Sequence, residues 1–103
     1  KNVSPQQMAC VLFFMDSKEK INHLREMIDE CDNQMVDLLV KRFTVSIQIG
    51  AIKESNKLAV GDPNREREII DRLTERLKGK LDRDDISAIF GPVYHISKKL
   101  QKK

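Results

Sequence analysis

The sequence predicts an all-α protein built from one long helix and two shorter ones, with the long helix paired to a second copy. Three observations predict it. The 103 residues hold only 4 Gly and 3 Pro, and none lies between Pro5 and Gly50, which leaves too few turn formers for an all-β or loop-rich fold. From Ile21 to Ile52 a residue of one helical seam recurs at alternating steps of three and four, the signature of a sustained heptad pattern. Two further segments open on an aspartate placed as an N-cap. The length suits a single domain.

The long helix is expected from Ser17 to about Asn56. Asp16 with Glu19 makes an aspartate version of the capping box. The seam is Ile21, Leu24, Ile28, Cys31, Met35, Leu38, Arg42, Val45, Ile49 and Ile52. At 1.5 Å per residue such a helix is roughly 60 Å long, against about 35 Å for the diameter of a compact monomer of this size. It would protrude with an apolar stripe along it, so a homodimer is expected. Residues 57–61 form a connector. Asp62 then caps a second helix with Pro63 at its first position. Ile69, Ile70, Leu73 and Leu77 face inward, and Gly79 ends the helix. Asp82, with Asp85 three residues on, starts the third helix, whose inward residues are Ile86, Ile89, Phe90, Val93 and Leu100. Gly91-Pro92 interrupts it. The proline removes a hydrogen bond and meets the carbonyl of Ala88, so a kink or break is expected there.

Composition excludes several classes of function. Charged residues make up 34% of the chain, but 19 basic residues against 16 acidic leave a net charge of only +3, with the signs interleaved. Nucleic-acid binders concentrate their cations on one face. Here only Lys98, Lys99, Lys102 and Lys103 cluster, and cations at a helix C-terminus need no partner. No apolar run reaches the ~18 residues of a membrane span. Cys10 and Cys31 fit neither a disulfide framework nor a zinc site, and His23 and His95 lack metal-ligand spacing. Residues 1–15, with the apolar octet MACVLFFM at 8–15, read as a leader, flexible or left by processing. Residues 16–103 form the helical domain, expected in the cytoplasm.

The informative residues are polar ones at apolar positions. Arg42 sits on the seam where a hydrophobe belongs, and Lys53, eleven residues on, is about 20° round the same face. Their Cα atoms are roughly 16 Å apart, a gap that two long side chains close around a small molecule. Glu66 precedes Ile69 and Ile70 by three and four and faces inward. Ser97 follows Val93 by four, and Gln101 follows Ser97 by four. Unpaired buried charge is costly. Either these groups pair with one another, for instance as an Arg42–Glu66 register device, or they line a polar pocket for an anion.

The run LREMIDECDNQMVDLLVKR (Leu24 to Arg42), then GAIK (Gly50 to Lys53), then DPNRE (Asp62 to Glu66) resembles the all-helical chorismate mutase family. The similarity extends from about Ile21 to Gln101. The resemblance implies an intertwined three-helix homodimer that converts chorismate to prephenate on the route to phenylalanine and tyrosine. It implies carboxylate-binding roles for Arg42 and Lys53, with Lys53 also reaching the ether oxygen. Arg25 matches an arginine lent by the neighbouring subunit, and roughly 25 Å of helix separates it from Arg42. Glu66, with the backbone near Asp62, matches the contact to the ring hydroxyl. Ser97 matches a ring-carboxylate contact, Gln101 a second donor to the ether oxygen, and Arg65 a conformation-fixing position near the pocket.

The implied reaction is a Claisen rearrangement within one molecule. It calls for no metal, cofactor, nucleophile or general base. It calls for a dianion held in a compact conformer and for donors aimed at the oxygen where negative charge develops. With neither a dehydratase nor a dehydrogenase segment in the chain, the resemblance is to a stand-alone mutase. Rival readings on the same fold are an isochorismate pyruvate-lyase and a mutase of aminodeoxychorismate. From a different class comes a non-catalytic helical dimer that regulates a shikimate-pathway enzyme, and docking to such an enzyme is compatible with catalysis.

Overall fold

The computed structural model describes residues 4–7 and 15–102. The leader's apolar octet, apart from Met15, lies outside the described residues. Beyond a helical turn at 5–7, the described chain is three α-helices: α1 (Ser17–Ser55), α2 (Pro63–Arg76) and α3 (Arg83–Gln101). The chain divides into two units, Lys1–Leu38 and Leu39–Lys103.

In the first unit the start of α1 is set by Asp16, whose carboxylate accepts the Glu19 backbone N–H at 2.8 Å, satisfying one of the free donors of the first turn. The seam is where the spacing put it, and in the single chain it is open to solvent: Ile28 is 58% exposed, Met35 56% and Leu38 66%. Cys31 is exposed as well. An apolar stripe of this length is uncommon on a monomeric soluble protein.

The second unit holds the core. Ile69 and Ile70 of α2 meet Ile86 and Tyr94 of α3, with Leu73, Leu77 and Phe90 packed around them. Ile86 is 1% exposed, and complete burial of such a side chain contributes about 2 kcal/mol. Asp62 caps α2, accepting the Arg65 backbone N–H at 3.0 Å, with Pro63 in the first turn. The last turn of α2 closes at Arg76, short of Gly79. Gly79 instead serves the following turn, where its φ of +84° suits a residue without Cβ. At the head of α3, Asp82 and Asp85 form a reciprocal capping box, each side chain accepting the other's backbone N–H, at 2.8 and 3.2 Å. Arg83 ties this end to α2 through Asp71 at 2.6 Å.

Two expectations for α3 are corrected. Ile89 does not face inward; it is 49% exposed. Measured from Ile86 at 100° per residue, Phe90, Tyr94, Ser97 and Gln101 fall about 20–80° to one side, while Ile89 falls about 60° to the other. The helix also does not break at Gly91-Pro92; it runs on to Gln101. Ala88, Gly91 and Pro92 are all exposed, so the ring projects toward solvent and the carbonyl that loses its donor is open to water.

α1 meets the end of α3 at Gly50, which is buried. A Cβ on Gly50 would stand 2.7 Å from the Gln101 Cα and 2.8 Å from its carbonyl oxygen. Only glycine permits this approach. It fixes Gln101 one turn before Lys53. Gly50→Ala is expected to destabilise the fold by about 1–3 kcal/mol, the usual cost of overpacking against backbone. Urea denaturation checks this, and an unchanged midpoint would show that the approach is not tight.

Candidate active site

Between α1, α2 and α3 of the second unit lies a cavity of about 420 Å³, of the size that holds small-molecule ligands. α1 supplies Arg42, Ser46 and Lys53 to its wall, with Val45 and Ile49 as apolar floor. The connector and α2 supply Asp62, Arg65 and Glu66, and α3 supplies Ser97 and Gln101. Seven of the eight residues singled out from the sequence therefore line one space. The eighth, Arg25, is exposed on the α1 segment of the first unit and is not among the lining residues.

Arg42 is held on two sides. Its Nη1 donates to Ser97 Oγ at 3.0 Å, and its guanidinium carbon lies 5.5 Å from the centre of the Tyr94 ring, within cation–π range. Ser97 is itself 6% exposed and keeps its own O–H as a donor. The Arg42–Glu66 register device does not form. Glu66 Oε2 pairs instead with Lys98 Nζ at 3.3 Å. Arg65 is turned to Glu68 at 3.4 Å, and Asp62 is occupied as the cap of α2. Among the described residues neither Arg42 nor Lys53 has a carboxylate partner. Four cationic and two anionic side chains line the cavity, so its wall carries a positive excess that suits a dianion.

Besides Ser46 of α1, two lining residues of α3, Tyr94 and Lys98, escape the sequence reading. The signal for both is the stripe they share with Ser97 and Gln101, at spacings of three, one and three along α3. Lys98 is masked by the basic tail that surrounds it. Tyr94 is 8% exposed, and its hydroxyl is buried without a hydrogen-bond partner among the described residues. Gln101 Oε1 is in the same condition. Such unpaired polar atoms are uncommon in native interiors, and here both belong to the wall of one cavity.

Comparison with known proteins gives the site its context. The chorismate mutase type II family matches residues 24–102. The chorismate mutase of Methanocaldococcus jannaschii is 31% identical over 86 residues, covering 82% of this chain and 87% of the relative. The bifunctional chorismate mutase/prephenate dehydratase of Aquifex aeolicus is 36% identical over 55 residues, only 15% of its own length. The crystal structure of Helicobacter pylori chorismate mutase in complex with prephenate superposes with a TM-score of 0.74 at 34% identity, covering 80% of this chain and 89% of that one. The fold and the cavity thus define an all-helical isomerase class. This chain belongs to the chorismate mutase type II family.

Burial pushes the Tyr94 phenol above its ordinary pKa, against the pull of Arg42, and Glu66 adds to the rise. A phenol whose pKa is raised on folding holds its proton longer in the native state, so its contribution to stability is intact below the unfolded value of about 10 and is lost as pH rises from there through the higher folded value. Tyr94 is the sole tyrosine, and there is no tryptophan. Phenolate absorbance of the native protein is therefore expected to titrate above free tyrosine, and to return to the ordinary range in denaturant. Identical midpoints in the two states would contradict the buried phenol.

Proposed function

We propose that this chain, an isomerase of the chorismate mutase family, rearranges chorismate to prephenate in the cavity between Arg42 and Gln101. The observation that carries the reading is the pair of α1 cations, Arg42 and Lys53, facing one donor-rich cavity without a carboxylate partner among the described residues. The substrate has two carboxylates, and the wall has a surplus of positive charge to meet them. The reaction breaks one C–O bond and forms one C–C bond in a single molecule, so no proton need be moved and no group transferred.

Each residue then has a task. Arg42 presents its remaining fork donors to the side-chain carboxylate, a geometry in which guanidinium is stronger than ammonium. Its orientation is set beforehand by Ser97 and Tyr94, so little rotational freedom is lost when substrate binds. Ser97 turns its O–H to the ring carboxylate. Lys53 and the Gln101 amide, brought near each other by the Gly50 approach, donate to the ether oxygen as negative charge grows on it. Glu66 and the backbone near Asp62 receive the ring hydroxyl. Arg65 stays at the margin, paired to Glu68, and steadies the start of α2.

The working molecule is a homodimer in this reading. The open apolar seam of α1 supports it, since a second seam is the natural cover for the first. Arg25 of the partner subunit would complete the carboxylate site, and the two α1 helices would wind the subunits together.

Lys53→Ala is expected to lower kcat by about 10²-fold or more, the typical effect of removing one such donor. Arg25→Ala is expected to be similarly impaired. Mixing the two variants under conditions of subunit exchange would regenerate one intact site in each heterodimer, or about a quarter of wild-type turnover under random pairing. Conversion of chorismate to prephenate, followed spectroscopically, reads both effects. Near-normal kcat in Lys53→Ala would remove Lys53 from the mechanism. No recovery on mixing, with exchange verified, would remove the shared arginine.

A further inference from the structure

Glu66 faces the cavity with one oxygen already engaged. Lys98 Nζ lies 3.3 Å from its Oε2, and the side chains are 43% and 27% exposed respectively. Lys98 shares the cavity stripe of α3 with Tyr94, Ser97 and Gln101. Its stem passes the bend before α2: a Cβ on Gly61 would stand 3.7 Å from Lys98 Cδ and 3.8 Å from Cε. The lysine methylenes thus run beside the Gly61 turn, with the ammonium at the Glu66 carboxylate.

A lone carboxylate would accept a hydrogen bond from a hydroxyl, but it would attract an ammonium more strongly. The charge and the number of donors both favour the cation. With Lys98 in place the balance reverses. The charge of Glu66 is already offset, and Oε1 remains for a single donor. A neutral hydroxyl satisfies it. A second ammonium at the same carboxylate would meet the Lys98 charge a few ångströms away, and this like-charge contact works against the wrong substrate. Arg42 and Arg65 line the same cavity and offer an incoming cation no relief.

We propose that Lys98 is a specificity determinant, selecting a neutral hydroxyl over an amino group at the ring position read by Glu66. Lys98 touches Glu66 and acts through it; it is a positioning residue. The inference rests on the chorismate mutase reading of the site, and it separates chorismate from its amino analogue, aminodeoxychorismate.

The test is the ratio of kcat/KM for these two substrates in the wild-type protein, Lys98→Met and Lys98→Arg. The wild type is expected to prefer chorismate. Lys98→Met is expected to shift the ratio toward the amino substrate by about fivefold, the scale of a partly exposed ion pair. Lys98→Arg is expected to keep the wild-type ratio. A purely structural role would change both substrates together and leave the ratio fixed. An unaltered ratio in Lys98→Met, an equal shift in Lys98→Arg, or a wild type that prefers the amine would each overturn the role of Lys98. A wild type that turns over neither substrate would instead overturn the reading of the cavity itself.

Discussion

A guanidinium on an apolar helix seam has to be answered by the rest of the chain, and the answer to Arg42 organises this molecule. Leaving such a group desolvated and unpaired would cost several kcal/mol. Among the described residues the fold gives it no carboxylate. It supplies a hydroxyl from Ser97 and the face of Tyr94, partners that orient the charge and leave it unneutralised. Both come from α3, and α3 can reach α1 because Gly50 lets the Gln101 backbone close in. The capping box at Asp82 and the Ile86–Ile69–Ile70 core set the direction from which α3 arrives. Structural and functional demands on Arg42 coincide: a cation held in place but not neutralised is what an anionic ligand needs.

This arrangement matches a reaction that asks little of the protein except shape and charge. A unimolecular rearrangement gains from a substrate restrained near its reactive conformer and from fixed donors at the oxygen that becomes negative. Donors already oriented before binding need no reorganisation in the transition state. The carboxylates of the wall are correspondingly engaged elsewhere, Asp62 with the α2 backbone and Glu66 with Lys98. Lys53 and Arg42 therefore keep a positive field that the protein does not cancel.

Much of this was legible in the sequence because the signals are local. Capping aspartates at 16, 62 and 82 mark the helix starts within a residue or so, and the heptad seam marks the exposed face of α1. Arg42 stands out because it breaks an apolar pattern, and Ser97 because it interrupts one. Tyr94 and Lys98 do not stand out. An aromatic residue beside a core is expected to be core, and a lysine among lysines is expected to be solvated. Their roles depend on which face of α3 meets α1, a tertiary fact set about 100° away from Ile89. Gly91-Pro92 misleads for a related reason. The local rule concerns a lost hydrogen bond, whereas the outcome depends on that side of the helix facing solvent.

The most direct measurement of the central claim is a crystal structure of the protein with a bicyclic ether dicarboxylate shaped like the pericyclic transition state. The expected complex has one carboxylate forked on Arg42, with the guanidinium still resting on Tyr94, and the ether oxygen between Lys53 and Gln101. A ligand seated elsewhere, or one whose carboxylates bypass Arg42 within the cavity, would contradict the role assigned to that charge.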